Sequence, residues 1–309
     1  MFALRGLMVG AAFFGVCYCA LSLLVVIVWQ IARLLGRGSA FESNRSLFML
    51  RIFPFASSAL ITLIFAMPAF YLLEGGPDED MGTLVFCICS LFLFGVGCIR
   101  VMAAQFRASR VLLEWQAGSR ALDSGLVATT LSAGGSAPPL LLCGISRPKV
   151  LISDAAIAAL SPEELQVAIR HELSHLRFRD NLKKLILYGL PFPGMASLES
   201  RWQEASELAA DEGAVASHAD ALNLAAALVK LCSLGATGKT PAFTTGFAEL
   251  TALVNIRVHR LLDWEDAHKR IAKIRWPWFL LIAACVGCIA LNYSRALLLT
   301  HLWTEWFIH

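Results

Sequence analysis

The sequence predicts an α-helical membrane protein with four transmembrane helices and a cytoplasmic α+β domain inserted between the third and the fourth. Three observations predict it. The mean hydropathy is +0.65 and only 16% of the 309 residues are charged, which excludes an ordinary soluble globular protein. The apolar residues gather in blocks: 6–32, 52–73, 81–99 and 276–294 contain no Asp, Glu, Lys or Arg. Each block is close to the ~20 residues that carry a helix across the hydrocarbon core. Between the third and fourth blocks lies a long polar stretch with helix caps and short apolar runs bounded by turn residues.

The first block is too long for the apolar region of a signal peptide and no cleavage site follows it, so it reads as a retained span. The second contains Pro54 and Pro68, which membrane helices tolerate when the freed carbonyls find other partners. The third is expected to run to about residue 104. The predicted organisation is therefore 1–106 with three helices (about 6–32, 52–73 and 81–104), 107–274 as the polar domain, and 275–309 as the fourth helix with a short tail. Arg33, Arg37, Arg45 and Arg51 face one acid, Glu42, in residues 33–51, whereas "EGGPDED" at 74–80 is purely acidic. Arg100, Arg107 and Arg110 follow the third block, and Lys269, Arg270, Lys273 and Arg275 precede the fourth. The positive-inside rule then puts 33–51 and 100–275 in the cytoplasm, with the acidic loop and both termini outside. Trp276, Trp278, Trp303, Trp306 and Phe307 suit interfacial belts.

Composition also excludes several functions. No block holds a charge at its centre, so nothing marks an ion path. Basic and acidic residues nearly balance over 105–275, which removes the electrostatic case for nucleic acid as a partner. Seven of the nine cysteines fall inside the apolar blocks. Cys143 and Cys232 lie in the reducing compartment, so no disulfide framework is expected. Cys285 and Cys288 read as packing residues rather than a metal pair.

Within the polar stretch, "VATTL" (127–131), "PLLLC" (139–143) and "KVLIS" (149–153) predict short strands, with "GISRP" as the turn before the last. Ser161, Pro162 and Glu164 form a capping box with proline at the first helical position, so a helix begins there. "LKKLILYGLPFPGM" (182–195) is apolar but broken by Gly and Pro, and is expected to lie against the membrane face. Long helices are predicted over about 198–216 and 220–233.

The chemistry sits in "AIRHELSHLRFRDNL". His171 and His175 are four apart, so both imidazoles project from one helix face. Glu172 is rotated about 100° from them, placed to reach a water beside a metal rather than the metal. The five-residue pattern alone leaves a solvated polar turn open. A catalytic zinc needs three protein ligands, and Glu204, Glu207 and Asp211 share one face of the later helix. Glu204 reads as a solvated position. Of Glu207 and Asp211, one suits the metal and the other suits the second ring N–H of a liganding histidine.

"HELSHLRFRD" followed by "ELAAD" resembles the membrane gluzincin peptidases, the BlaR/MecR-type sensor peptidases and the related HtpX-type proteases. "GISRPKVLISDAAIAALSPEELQVAIRHELSH", the "IRVHRLL" at 256–262 and the order of three spans, polar domain and one span are similar to the BlaR/MecR type. The resemblance implies a gluzincin-like zinc-protease domain with one Zn²⁺ per chain. It implies His171, His175 and Glu207 as metal ligands, Glu172 as general base and acid, Asp211 as the acid behind a ligand, and Asp180 as a structural acid closing the helix. Arg257, in the downstream arginine motif, is implied as oxyanion donor or structural ion pair. His218 and His259 are alternatives for the donor by residue type. The family's C-terminal penicillin-binding sensor domain is not expected, because the chain ends about a dozen residues beyond the fourth block.

The expected function is a zinc-dependent endopeptidase of the bacterial cytoplasmic membrane that cuts a cytoplasmic regulator, a membrane protein or itself in signal transduction. Expected partners are a protein or peptide substrate, the bilayer, and a repressor or partner membrane protein. A substrate strand is expected to add to the edge of the 139–153 sheet. The alternatives are an HtpX-like quality-control protease and a catalytically silent zinc-binding scaffold.

Overall fold

The computed structural model describes residues 2–35, 43–73, 81–117, 120–122, 129–133, 139–145, 148–234, 245–246 and 251–264, with 295, 298–299 and 302–303 near the C-terminus. The predicted fourth span, 276–294, lies outside the described residues. The described part is mostly helical. Three of its helices are long and apolar enough to cross a membrane: Ala3–Leu34, Asn44–Leu72 and Met81–Trp115.

The first span is α1 (Phe2–Leu34). The second is composite: α2 (Asn44–Ile61), a π-helical stretch Thr62–Ala66, and α3 (Met67–Leu73). The widened stretch ends just before Pro68, whose ring and missing N–H disfavour regular α-helical bonding there. The third span, α4 (Met81–Ala117), runs past its predicted end near 104. Its 37 residues measure about 55 Å at 1.5 Å per residue, longer than the ~30 Å hydrocarbon core. The surplus has a use, because Leu112 and Trp115 pack on the sheet beyond it.

That sheet contains β1 (Arg120–Leu122), β2 (Thr129–Ala133), β3 (Leu140–Cys143), β4 (Lys149–Ser153) and β5 (Thr245–Gly246) in the order β1-β2-β4-β3-β5. All neighbours are antiparallel except β2 and β4. Alternate side chains of a strand point to opposite faces, and here both faces are covered. Leu140, Leu142, Val150 and Ile152 join the core under the helices, while Leu141, Cys143 and Leu151 meet the end of α4. This explains why β3 is an unbroken apolar run. Three strands were expected from the sequence; β1 and β5 are additional. β5 pairs with Leu141 and Leu142, so the expected open edge at 139–153 is already occupied there.

After the sheet come α5 (Asp154–Ala159), α6 (Pro162–Phe178), α7 (Asp180–Gly189), α8 (Ala196–Ala214), α9 (His218–Ser233) and α10 (Thr251–Leu262). The capping box at α6 forms as predicted: the Glu164 N–H donates to Ser161 Oγ, and the Ser161 N–H donates to the Glu164 carboxylate. Lys230 of α9 pairs with the same carboxylate at 2.7 Å. The segment 182–195 differs from expectation. Rather than resting on a membrane face, α7, the turn 190–195 and the start of α8 form a hairpin whose tip packs among the spans. Leu187, Met195, Leu198 and Trp202 share one core with Val25 and Trp29 of α1 and Leu47 of α2. Two glycines permit the close approach. A Cβ at Gly97 would collide with the Gly189 carbonyl, and Gly194 adopts φ +85° with Val26 against it.

Candidate metal centre

α6 brings His171 and His175 onto one face, one helical turn apart as the four-residue spacing requires. Their Nε2 atoms lie 3.2 Å from each other. α8 crosses beside them and supplies Glu207, whose two carboxylate oxygens lie 3.5 Å from the two Nε2 atoms, one each. All three residues are buried, and their ligand atoms fall within 4.8 Å of one another.

The outer ring nitrogens fix the tautomers. His175 Nδ1 lies 2.9 Å from Asp180 Oδ2 and His171 Nδ1 lies 3.0 Å from Asp211 Oδ1. A hydrogen bond to Asp180 holds the His175 proton on Nδ1, and the Asp211 charge beside His171 Nδ1 favours the proton on that side, so both Nε2 lone pairs face the same point. Two lone pairs and a carboxylate at such separations repel unless a cation lies between them. Ligand bonds of about 2.0–2.1 Å in a tetrahedral site put donor atoms roughly 3.3 Å apart, close to the spacing found. The residues present therefore fit a divalent metal.

Arg257 of α10 closes the group from behind. Its Nε and Nη2 donate to Asp211 at 2.8 and 2.6 Å, and Nη1 donates to Glu207 Oε2 at 3.0 Å. The guanidinium is 2% exposed and turned toward carboxylates. Burial works to raise Glu207 and Asp211, but the charges around them win: chiefly His175 and Arg257 for Glu207, and Arg257 for Asp211. Both end well below the usual carboxylate range. Burial works to lower His171, yet its contacts with Asp211 and Glu207 turn the net shift upward.

Glu172 is different. It is 0% exposed. Its Oε2 accepts the Leu142 N–H of β3 at 3.0 Å, and its Oε1 has no hydrogen-bond partner among the described residues. Burial, aided by the nearby Glu207 charge and opposed by His175, pushes its carboxyl up to about 8. It is a buried group adjusted to hold or release a proton near neutral pH.

The structure thus brings together His171, His175, Glu172, Glu207, Asp211, Asp180 and Arg257. Asp180 does more than close the helix, because it touches a ligand-type histidine directly and accepts from Ser206 Oγ at 2.7 Å. Arg179 makes this possible, reversing the chain with φ 55° between α6 and α7. The other donors proposed by residue type lie elsewhere: His218 contacts the Trp264 carbonyl at 3.1 Å and His259 is exposed. Sequence reasoning missed Asn181, whose Nδ2 donates to the carbonyls of Leu142 and Gly144 at 3.4 and 3.2 Å, and missed the strand amide on Glu172. Neither contact leaves a spacing signal, since they depend on how β3 and the turn after it meet α6 and the start of α7.

A helix bearing two such histidines and a glutamate, completed by a carboxylate from a later helix and carried on apolar spans, defines a membrane metallopeptidase type of centre. The chain belongs to the BlaR1 peptidase M56 family, whose profile matches residues 82–261. This agrees with the BlaR/MecR resemblance read from the sequence. No curated protein matches the chain.

Proposed function

We propose that the protein is a membrane-anchored zinc endopeptidase with His171, His175 and Glu207 as ligands and Glu172 as general base. The observation that carries this reading is the convergence of two Nε2 lone pairs on Glu207, each ring backed by a carboxylate through its other nitrogen. Two imidazoles and a carboxylate suit Zn²⁺ with a position left open. When bound, the metal supplies an electrophile for the peptide carbonyl and makes water acidic enough to ionise near neutral pH.

The chain's own residues do the rest. Glu172, anchored through Oε2 to the Leu142 amide, takes a proton from the attacking water on Oε1 and passes it to the departing amine. Asp180 and Asp211 hold the imidazoles in the liganding tautomer. Arg257 balances the charge of Glu207 and Asp211, and its engagement with them argues for a structural role over that of oxyanion donor. The site lies at the cytoplasmic side, between the third span and a fourth at 276–294, with both termini outside. The substrate is a cytoplasmic regulator, a membrane protein or the chain itself.

Purified from membranes, the chain should carry about one zinc per chain. Glu172→Gln should keep it and His175→Ala should lose it. Full zinc occupancy in His175→Ala would sink the proposed ligand set.

A further inference from the structure

The α7–α8 hairpin has its open end at the metal centre and its tip inside the membrane bundle. At the open end, Asp180 begins α7 and holds His175, while α8 presents Glu207 and Asp211. The tip meets Tyr18, which precedes Arg33 by 15 residues, roughly 22 Å along α1. The hairpin tip therefore packs against the sides of the spans, and backbone that leaves a helix among such apolar neighbours must be satisfied by protein. At the end of α7 the Leu190 carbonyl accepts from the Tyr18 hydroxyl at 3.3 Å and from Arg51 Nη2. The same guanidinium donates through Nε to Glu199, in the first turn of α8, at 2.8 Å. One arginine on α2 thus grips both arms of the hairpin across its turn.

We infer that Arg51 is a positioning residue for the metal ligand Glu207, setting from within the membrane bundle how far α8 reaches toward the two histidines. This rests on the metal-site reading above. Glu199 and Glu207 are eight residues apart on one helix, about 12 Å, and Trp202 between them is buried against Phe48 with ring centroids 6.2 Å apart. A displacement at Glu199 is therefore passed on to Glu207. The apolar contacts of Leu47, Leu198 and Trp202 hold α8 to the bundle without fixing its axial position, because such contacts are non-directional. A guanidinium fork with acceptors on both sides of the turn is directional and does fix it. The Arg51 side chain is 1% exposed, so water cannot take over its role.

The test uses the full chain in detergent, loaded with Co²⁺ as a spectroscopic probe, with zinc affinity measured by chelator competition and thermal unfolding of the stripped protein followed in parallel. Arg51→Gln should weaken zinc binding about ten- to hundredfold, the range for residues supporting metal ligands, and should alter the visible Co²⁺ spectrum. Arg51→Lys should recover part of the loss, since a lysine can meet Glu199 but not both acceptors. Glu199→Gln should act in the same direction as Arg51→Gln and stands in if the latter does not fold. Leu47→Ala, which loosens the same interface without touching the fork, should lower the melting temperature with the Co²⁺ spectrum unchanged. An unchanged spectrum and affinity in both Arg51→Gln and Glu199→Gln would overturn the inference. So would equal losses in Leu47→Ala, which would make Arg51 merely structural. A wild-type chain that binds no metal would instead overturn the metal-site reading.

Discussion

Glu172 is held by one oxygen and left open at the other, and its confinement costs stability. Burial raises its carboxyl from 4.5 to about 8, so the fold prefers it protonated. Below pH 4.5 folded and unfolded chains both carry the proton and nothing is lost. From there to about pH 8 the unfolded chain releases it and the folded chain does not, so stability falls with rising pH. His171, raised from 6.5, adds a fall of the same sign in the upper part of that window. The metal-stripped protein should therefore melt lower at pH 8 than at pH 5, and Glu172→Gln should flatten much of that slope; thermal unfolding across the range reads both. A wild-type profile parallel to that of the variant would contradict the burial account. Asp180 gives a second prediction at this scale. Asp180→Asn keeps the shape but weakens the hold on His175 Nδ1, and should cost about ten- to hundredfold in zinc affinity by competition titration. The fold should survive, because the amide oxygen in the Oδ2 position still accepts from Ser206 Oγ and Lys183, 21% exposed, can turn to solvent.

α6 was legible in the sequence because its start is written in local chemistry. Ser161, Pro162 and Glu164 act within one turn, so the signal can be read without knowing any distant partner. Ser161→Ala should cost about 1 kcal/mol in thermal unfolding, with zinc affinity unchanged. α8 and α9 were equally legible, each within about two residues of its predicted bounds. Asp220 at the start of α9 was not singled out, although it pairs with Arg170 at 2.6 Å and accepts the Ala216 N–H at 3.0 Å. Arg170 holds its carboxyl below the usual range. That stabilisation is present above about pH 4 and is lost as the pH falls through the depressed value. Asp220→Asn should reduce the acid sensitivity of unfolding. What the sequence hid were elements defined by their partners. β1 and β5 are too short to show alternation, α4 continues beyond 104 because Leu112 and Trp115 find the sheet, and the 182–195 segment becomes a buried hairpin only because glycines 97 and 194 let it in.

At the scale of the whole molecule, the spans share a core with α8, the helix that carries Glu207. Trp202 is 1% exposed and touches α2 while sitting five residues before Glu207. A fragment of residues 107–274 would leave Leu187, Met195, Leu198 and Trp202 without Val25, Trp29 and Leu47. It should aggregate or require detergent, and Trp202→Ala in the full chain should cost about 3–5 kcal/mol by thermal unfolding. A monomeric, well-packed fragment in plain buffer would show that the bundle is only a tether. The histidines and Glu172 are almost wholly shielded from solvent. The part proposed for Glu172 in peptide hydrolysis can be tested by comparing new protein N-termini in the native host between wild type and Glu172→Gln under several envelope stresses. Termini should vanish in the variant while its zinc content stays at the wild-type level. Identical termini in both strains, with zinc retained, would contradict that proposal.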